Sequence, residues 1–186
     1  RKKEMIKMAL QLNIQLLGLK PAVWRRVLVD EGITFHQLHK IIQEIMGWDD
    51  YHLYRFNLNE DEEIGIPDPD DEMIVTDSRR FKVKNMLNKP KQKIVYTYDF
   101  GDNWEHLITV EKILDKAEKA PVCIAGERNC PPEDSGGVWG YEDLLKIKKN
   151  KKHPDYKEYI EEWLGEGFDP EAFDIESVNR RLKRLK

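Results

Sequence analysis

From Ile6 to Leu16 every even-numbered position is apolar (Ile6, Met8, Leu10, Leu12, Ile14, Leu16), and Lys7, Gln11, Asn13 and Gln15 stand among the positions between. Successive side chains of a strand point to opposite faces, so this alternation specifies a long strand with one buried face and one wet face. Gly18 and Pro21 then bracket a turn, and Ala22 to Val29 reads as the antiparallel partner. A hairpin with a single apolar face is not stable alone. The rest of the chain must cover it.

The period changes after Thr34. Leu38, Ile41, Ile42, Ile45 and Met46 recur at spacings of three and four, with Thr34 at the N-cap and Gly47 where a left-handed C-terminal residue is wanted. The spacing predicts a helix over Phe35–Met46, followed by the polar segment GWDDYH and a short strand near Leu53–Leu58. Residues 60–72 hold eight acids, no base and two prolines, which predicts a solvated acidic loop over about 59–72. Ser78–Lys93 reverses the sign with seven bases and no acid, and Val83, Met86 and Leu87 predict a short helix within it.

A second hairpin follows. Ile94, Tyr96, Tyr98 and Phe100 share one face of a strand, and Trp104, His106, Ile108 and Val110 share one face of the next. An odd, three-residue loop of Gly101, Asp102 and Asn103 keeps the two aromatic faces together, pairing Phe100 with Trp104 and Tyr98 with His106. Residues 115–140 show little periodicity and read as a long irregular loop, with Ala120–Gly140 lying over the sheet edge near the GDN tip so that Trp139 and Tyr141 find apolar cover. Three helices complete the chain: Tyr141 to about Lys149, Pro154–Leu164, and Asp174 to the end, with Phe168 and Phe173 docking them on the sheet. No boundary splits the chain, and residues 1–186 are expected to form one domain. The fold expected is α+β: an antiparallel or mixed sheet built from two β-hairpins, with an early helix and a C-terminal helical cluster.

Composition narrows the function classes. The net charge of -4 argues against a uniformly basic nucleic-acid binder. Basic stretches at Lys82–Lys93, Lys146–Lys152 and Arg180–Lys186 would nevertheless make a phosphate-binding groove if they shared a face. No apolar run approaches membrane-spanning length, and no charged-apolar-small leader pattern is visible. Two cysteines are too few for a disulfide scaffold, so a cytoplasmic setting is expected. Phosphate-loop, dinucleotide-fold and nucleophile-elbow patterns are all missing.

Polar chemistry concentrates in three patches. Asp99, Asp102, Glu105 and His106 crowd the second hairpin tip, a mixture that suits zinc or manganese ligation and also acid–base work. His39, Trp48, Asp49, Asp50 and His52 surround the end of the early helix. Glu127, Arg128, Cys130, Glu133 and Asp134 sit in a Gly/Pro-rich frame before Trp139 and Tyr141, and Arg128 is expected to pair with one of these acids. The gap between Cys123 and Cys130 is not a zinc-ribbon spacing, which favours two buried thiols. The candidate pocket therefore takes His39, Trp48, His52, Asp99, Asp102, Trp104, His106, Glu127, Arg128, Cys130, Glu133, Asp134, Trp139 and Tyr141. Its candidate ligands for a divalent metal are His39, His52, Asp102 and His106. Each histidine also has a plain alternative as a satisfied core residue, and Asp102 and Asn103 as turn formers.

The blocks LKPAVWRRVLV, LHKIIQEIMGWDDYHLYRF, YTYDFGDNWEHLITVEKI and CIAGERNCPPEDSGGVWGYEDLL, with a helical tail HPDYKEYIEEWLGEGFDPEAFDIESVNRRL, resemble the plasmid pRiA4b ORF-3-like family from about Met5 to Leu182. The resemblance implies an α+β domain without an established activity, some of whose relatives occur on mobile elements or carry a resolvase-like label. This chain has no serine-nucleophile resolvase signature, so that label is not carried over. The family's recurrent polar positions map onto His39, His52, Asp99, Asp102, His106, Cys130, Glu133 and Asp134, beside Trp48, Trp104 and Trp139. Ser135 departs from the pattern, which has a Cys or another small residue there. The function expected is a binding or adaptor domain with an acid- and histidine-lined pocket, taking a protein partner or small ligand. The alternatives are a metal-dependent hydrolase of phosphoesters and a nucleic-acid accessory protein.

Overall fold

The computed structural model describes residues 8–59, 62–70, 74–115 and 120–185. Eight strands form one sheet: β1 (Ala9–Leu16), β2 (Val23–Asp30), β3 (Tyr54–Asn57), β4 (Glu63–Gly65), β5 (Val75–Asp77), β6 (Lys93–Tyr98), β7 (Trp104–Leu114) and β8 (Val122–Glu127). Their order across the sheet is β5-β4-β3-β6-β7-β1-β2-β8, antiparallel throughout except for β4 beside β5. The sheet is therefore mixed. The helices are α1 (Phe35–Met46), α2 (Gly137–Lys149), α3 (Lys157–Leu164) and α4 (Ile175–Leu182).

Register converts the alternation into a face. Leu16 lies between Val23 and His106, and His106 in turn opposes Tyr96, which opposes Phe56. One row of the buried face thus crosses five strands without changing sides. The opposite face carries Gln11, Asn13, Arg26 and Glu111, and Arg26 and Gln11 both bond the Glu111 carboxylate. Antiparallel sheets tolerate this division of apolar and polar faces. Phe35, Leu38, Ile42 and Ile45 of α1 are fully buried against the apolar face. Helix α1 is closed by a capping box between Thr34 and Gln37 and by Gly47 at φ 85°. Helix α4 packs on α1 and β8. Asn179 fixes it there, because its amide both donates to and accepts from the backbone of Cys123.

Several expectations are corrected. The acidic stretch is not loop throughout: Ile64 is buried and β4 pairs with β3, because one apolar side chain suffices to seat a short strand at an incomplete edge. Four of its eight acids, at 60, 61, 71 and 72, lie outside the described residues. The 115–140 stretch contains β8, which pairs with β2 and buries Cys123. Only one turn of 3₁₀ helix forms at Val83–Asn85. Helix α2 begins at Gly137, before Tyr141, and α3 is a π-helix beginning at Lys157, closed by a Gly165 N–H bond to the Ile160 carbonyl. The second hairpin loop is odd, as required for coincident aromatic faces, but it spans five residues, Asp99–Asn103. Tyr98 opposes Trp104 and Tyr96 opposes His106, and Phe100 leaves the strand to lie 48% exposed under Arg55.

Candidate functional site

Three chain segments meet at the tip of the β6–β7 hairpin: the link Gly47–Leu53 between α1 and β3, the loop Asp99–Asn103, and the stretch Cys130–Gly136 that leads into α2. Tyr98, at the end of β6, joins the first and third. Its buried hydroxyl donates to Glu133 Oε1 and accepts from the backbone N–H groups of Tyr51 at 3.0 Å and His52 at 3.3 Å. Burial, and then the adjacent Glu133 carboxylate, push the Tyr98 phenol well up, so it keeps the proton it donates. The Asp49 N–H also reaches Glu133 at 3.3 Å. The indole of Trp48 donates to the Pro131 carbonyl at 2.9 Å and stacks on Tyr98. On the other flank, Asp102 Oδ2 accepts from the Gly136 N–H at 3.1 Å. A Cβ at Gly137 would stand 2.5 Å from the Asp102 carbonyl, so only glycine allows the third segment to approach this closely.

These locks bring His52, Asp99 and Asp134 together. One ligand atom from each lies within 4.8 Å of the other two. His52 Nε2 is 2.9 Å from Asp134 Oδ1 and 3.6 Å from Asp99 Oδ2. Asp99 is largely buried and Asp134 is exposed, so the cluster has an anchored side and an open side. Both aspartates hold left-handed backbones, at φ 58° and 56°. Aspartate is among the few non-glycine residues that visit this region, and such strain persists where surrounding structure enforces it. The second carboxylate oxygen of Asp99 accepts from the Gly101 N–H at 2.9 Å, which fixes its rotation.

Other candidates fall elsewhere. His39 is fully buried one layer below, stacked on Tyr54 at 3.6 Å between ring centroids. Its Nε2 contacts Asp50 at 2.6 Å and its Nδ1 contacts the Tyr96 hydroxyl at 2.8 Å. Gln43 donates to the same hydroxyl at 3.1 Å. The network closes if Nε2 carries the proton and Nδ1 accepts from Tyr96, which is the neutral tautomer. Burial holds the His39 pKa at about 4 despite the opposing pull of Asp50. His106 is also fully buried, edge-on to Trp48, with Nδ1 at 2.9 Å from the Trp104 carbonyl. Burial holds it at about 4 too, with the Trp104 and Tyr96 backbones opposing in part. Trp104 is core. His39, His106 and Asp102 thus do not join His52 at the cluster, and Asp102 instead anchors Gly136.

The third patch divides. Glu133 and Asp134 reach the site; Glu127 is exposed at the end of β8, its backbone carbonyl accepting from Arg25. Arg128 pairs with Glu171 at 2.5 Å, not with an acid of its own patch, because β8 runs beside the segment leading to α4. Both thiols are buried and free, as the spacing implied, and burial raises the Cys130 pKa to about 12, which leaves it inert. Tyr141 is buried, whereas Trp139 is 81% exposed and finds no apolar cover. The Tyr98–Glu133 lock is the contributor that sequence reasoning missed; no periodic or motif signal distinguishes a tyrosine whose hydroxyl holds two backbone amides.

The sequence matches the model of the plasmid pRiA4b ORF-3-like protein over residues 8–177. The chain belongs to the plasmid pRiA4b ORF-3-like family. Among family relatives it is similar to an uncharacterized protein, y4hQ, of Sinorhizobium fredii, 32% identical over 184 residues covering 97% of this chain and 94% of that one. It is also similar to a crystal structure of a protein of unknown function, MM3350, from Methanosarcina mazei Go1, at 39% identity and a TM-score of 0.82, covering 94% of this chain and 99% of that one. The family has no known function, and no helix among the described residues is long and apolar enough to cross a membrane.

Proposed function

We propose that this member of the pRiA4b ORF-3-like family is a binding domain whose acid- and histidine-lined site at the β6–β7 tip takes a divalent cation through His52, Asp99 and Asp134. The observation that carries the reading is the approach of their ligand atoms within 4.8 Å. Ligands about 2.1 Å from a tetrahedral ion stand roughly 3.4 Å apart. The separations of 2.9 and 3.6 Å from His52 Nε2 bracket that spacing, and the two carboxylates lie within 4.8 Å of each other. One imidazole with two carboxylates suits zinc or manganese better than calcium, which takes more oxygens. The Tyr98–Glu133 lock holds the backbone of His52 without entering the cluster.

A second reading, a metal-dependent phosphoester hydrolase, is supported by the open side at Asp134: three protein ligands leave a position for water or substrate. Titration of purified protein with zinc and with manganese, followed by calorimetry, tests the first reading. Binding should be saturable and should weaken at least about tenfold in His52→Ala and in Asp99→Asn. Asparagine tolerates the left-handed backbone at position 99, so the second variant removes charge with little strain. Absence of saturable binding by either metal would overturn the cation reading. Turnover of a generic phosphodiester by the loaded protein, lost in the same variants, would favour the hydrolase.

A further inference from the structure

Beyond the hairpin tip, α2 and α3 diverge around a half-open cleft of about 730 Å³. Five charged residues line it, and all are acids: Asp134, Asp143, Asp155, Glu158 and Glu162. Its floor and walls are apolar, formed by Leu144 and Ile147 of α2 and by Tyr159 and Trp163 of α3. Gly140, Asp143, Leu144 and Ile147 follow at three- and four-residue steps, so one face of α2 forms the wall. The i→i+5 winding of α3 sets residues four and five apart on one side, which brings Glu158, Glu162 and Trp163 together. Tyr159 and Trp163 are 44% and 47% exposed, and Trp139, four residues before Asp143 on α2, is 81% exposed.

Local cations do not fill the cleft. Lys146 pairs with Asp143 and Lys157 with Glu162, but both lysines are about three-quarters exposed, and surface pairs of this kind contribute little. Glu158 has no ion-pair partner among the described residues. The pattern of alternating carboxylates over an aliphatic and aromatic floor is complementary to side chains with an apolar stem and a cationic head. We propose that the cleft is a docking groove for a lysine- and arginine-bearing segment of a partner protein. Its side-chain stems would lie over Leu144 and Ile147, and its heads among the carboxylates and on the faces of Tyr159 and Trp163. A peptide fits better than a compact cation because the lining sets two aliphatic and two aromatic side chains beside the carboxylates.

The test uses the full chain in EDTA, so its outcome is independent of the cation reading although Asp134 lines both sites. Fluorescence polarisation of a short labelled lysine–leucine peptide should show binding that weakens with salt, and a glutamate–leucine counterpart should not bind. Reversing charge in Glu158→Lys/Glu162→Lys should weaken binding about tenfold or more, and Trp163→Ala about threefold. Asp68→Asn/Asp70→Asn, in the acidic segment elsewhere, should leave it unchanged. Should the charge-reversed protein misfold, Glu158→Gln/Glu162→Gln supplies the same readout. Equal binding by the cleft variants, loss confined to the acidic-segment variant, or tight binding of spermidine with none of the peptide would overturn the proposal.

Discussion

The phenol of Tyr98 has more consequences than any other single group near the site. It is fully buried on β6, yet its oxygen serves two backbone amides and the Glu133 carboxylate at once. Tyr98→Phe keeps the ring and leaves the part-buried amides of Tyr51 and His52 without their acceptor, while Glu133 keeps the Asp49 N–H. An unsatisfied buried group costs roughly 1–3 kcal/mol. A destabilisation of that size is expected in urea unfolding, together with weaker cation binding, because the backbone of His52 is then free to move. Glu133→Gln separates the two effects: the amide still accepts from Tyr98, so stability should fall less than in Tyr98→Phe. If Tyr98→Phe unfolds at the wild-type midpoint and binds the cation equally well, the hydroxyl does not position His52. The residues of this site were visible singly in the sequence, in a roll of candidates that also held His39 and His106. What singled out His52, Asp99 and Asp134 was backbone conformation: the left-handed turns at Asp99 and Asp134 aim the two carboxylates at one point, and sequence spacing carries no such direction.

Among the elements, α1 is the one whose local signals all agree. Thr34 accepts from the Gln37 N–H at 3.2 Å while Gln37 Oε1 accepts from the Thr34 N–H at 2.8 Å, and Gly47 closes the other end. Thr34→Ala removes the cap oxygen and should cost about 1 kcal/mol, read as a lowered unfolding midpoint with unchanged cation binding, since the site lies at the far end of the helix. A change under a few tenths would mean that packing alone sets where α1 begins. The capped helix and the two alternating hairpins were legible for the same reason: each repeats a pattern over many residues, and the pattern's period is the geometry. β4 and β8 were not. β4 offers one buried apolar side chain between an acid and a glycine, and β8 is an edge strand whose exposed Ile124 and buried Cys123 blur the alternation. Such strands form because a neighbour's edge is available, which is a tertiary fact. The hairpin loop illustrates the intermediate case. Parity demanded an odd loop, but three and five residues satisfy parity equally, and the bond from the Asn103 N–H to the Asp99 carbonyl selects five.

Across the whole molecule, the single buried face brings two histidines into an aromatic layer that excludes water. His39 and His106 are both fully buried with pKa values near 4, against about 6.5 in an unfolded chain. Between those values the unfolded chain binds protons that the native protein does not, so stability is complete above pH 6.5 and is lost as the pH falls toward 4. Each histidine contributes a slope approaching about 1.4 kcal/mol per pH unit inside that window, and about 3 kcal/mol in all once both states are protonated. For His39 the cost has a visible origin. A proton added at Nδ1 removes the acceptor of the Tyr96 hydroxyl, whose own oxygen already takes a bond from Gln43, and the nearby Asp50 offsets only part of the burial penalty. Urea unfolding at intervals from pH 7.5 to 4.5 should therefore show a flat region followed by a decline beginning near 6.5, before most carboxylates titrate. Replacing His106 by glutamine should lower stability at pH 7.5 and reduce the slope between pH 6 and 5, because one proton-linked group is gone while His39 and His36, whose pKa burial also lowers, remain. A slope that the substitution leaves unchanged would assign the acid sensitivity to other groups.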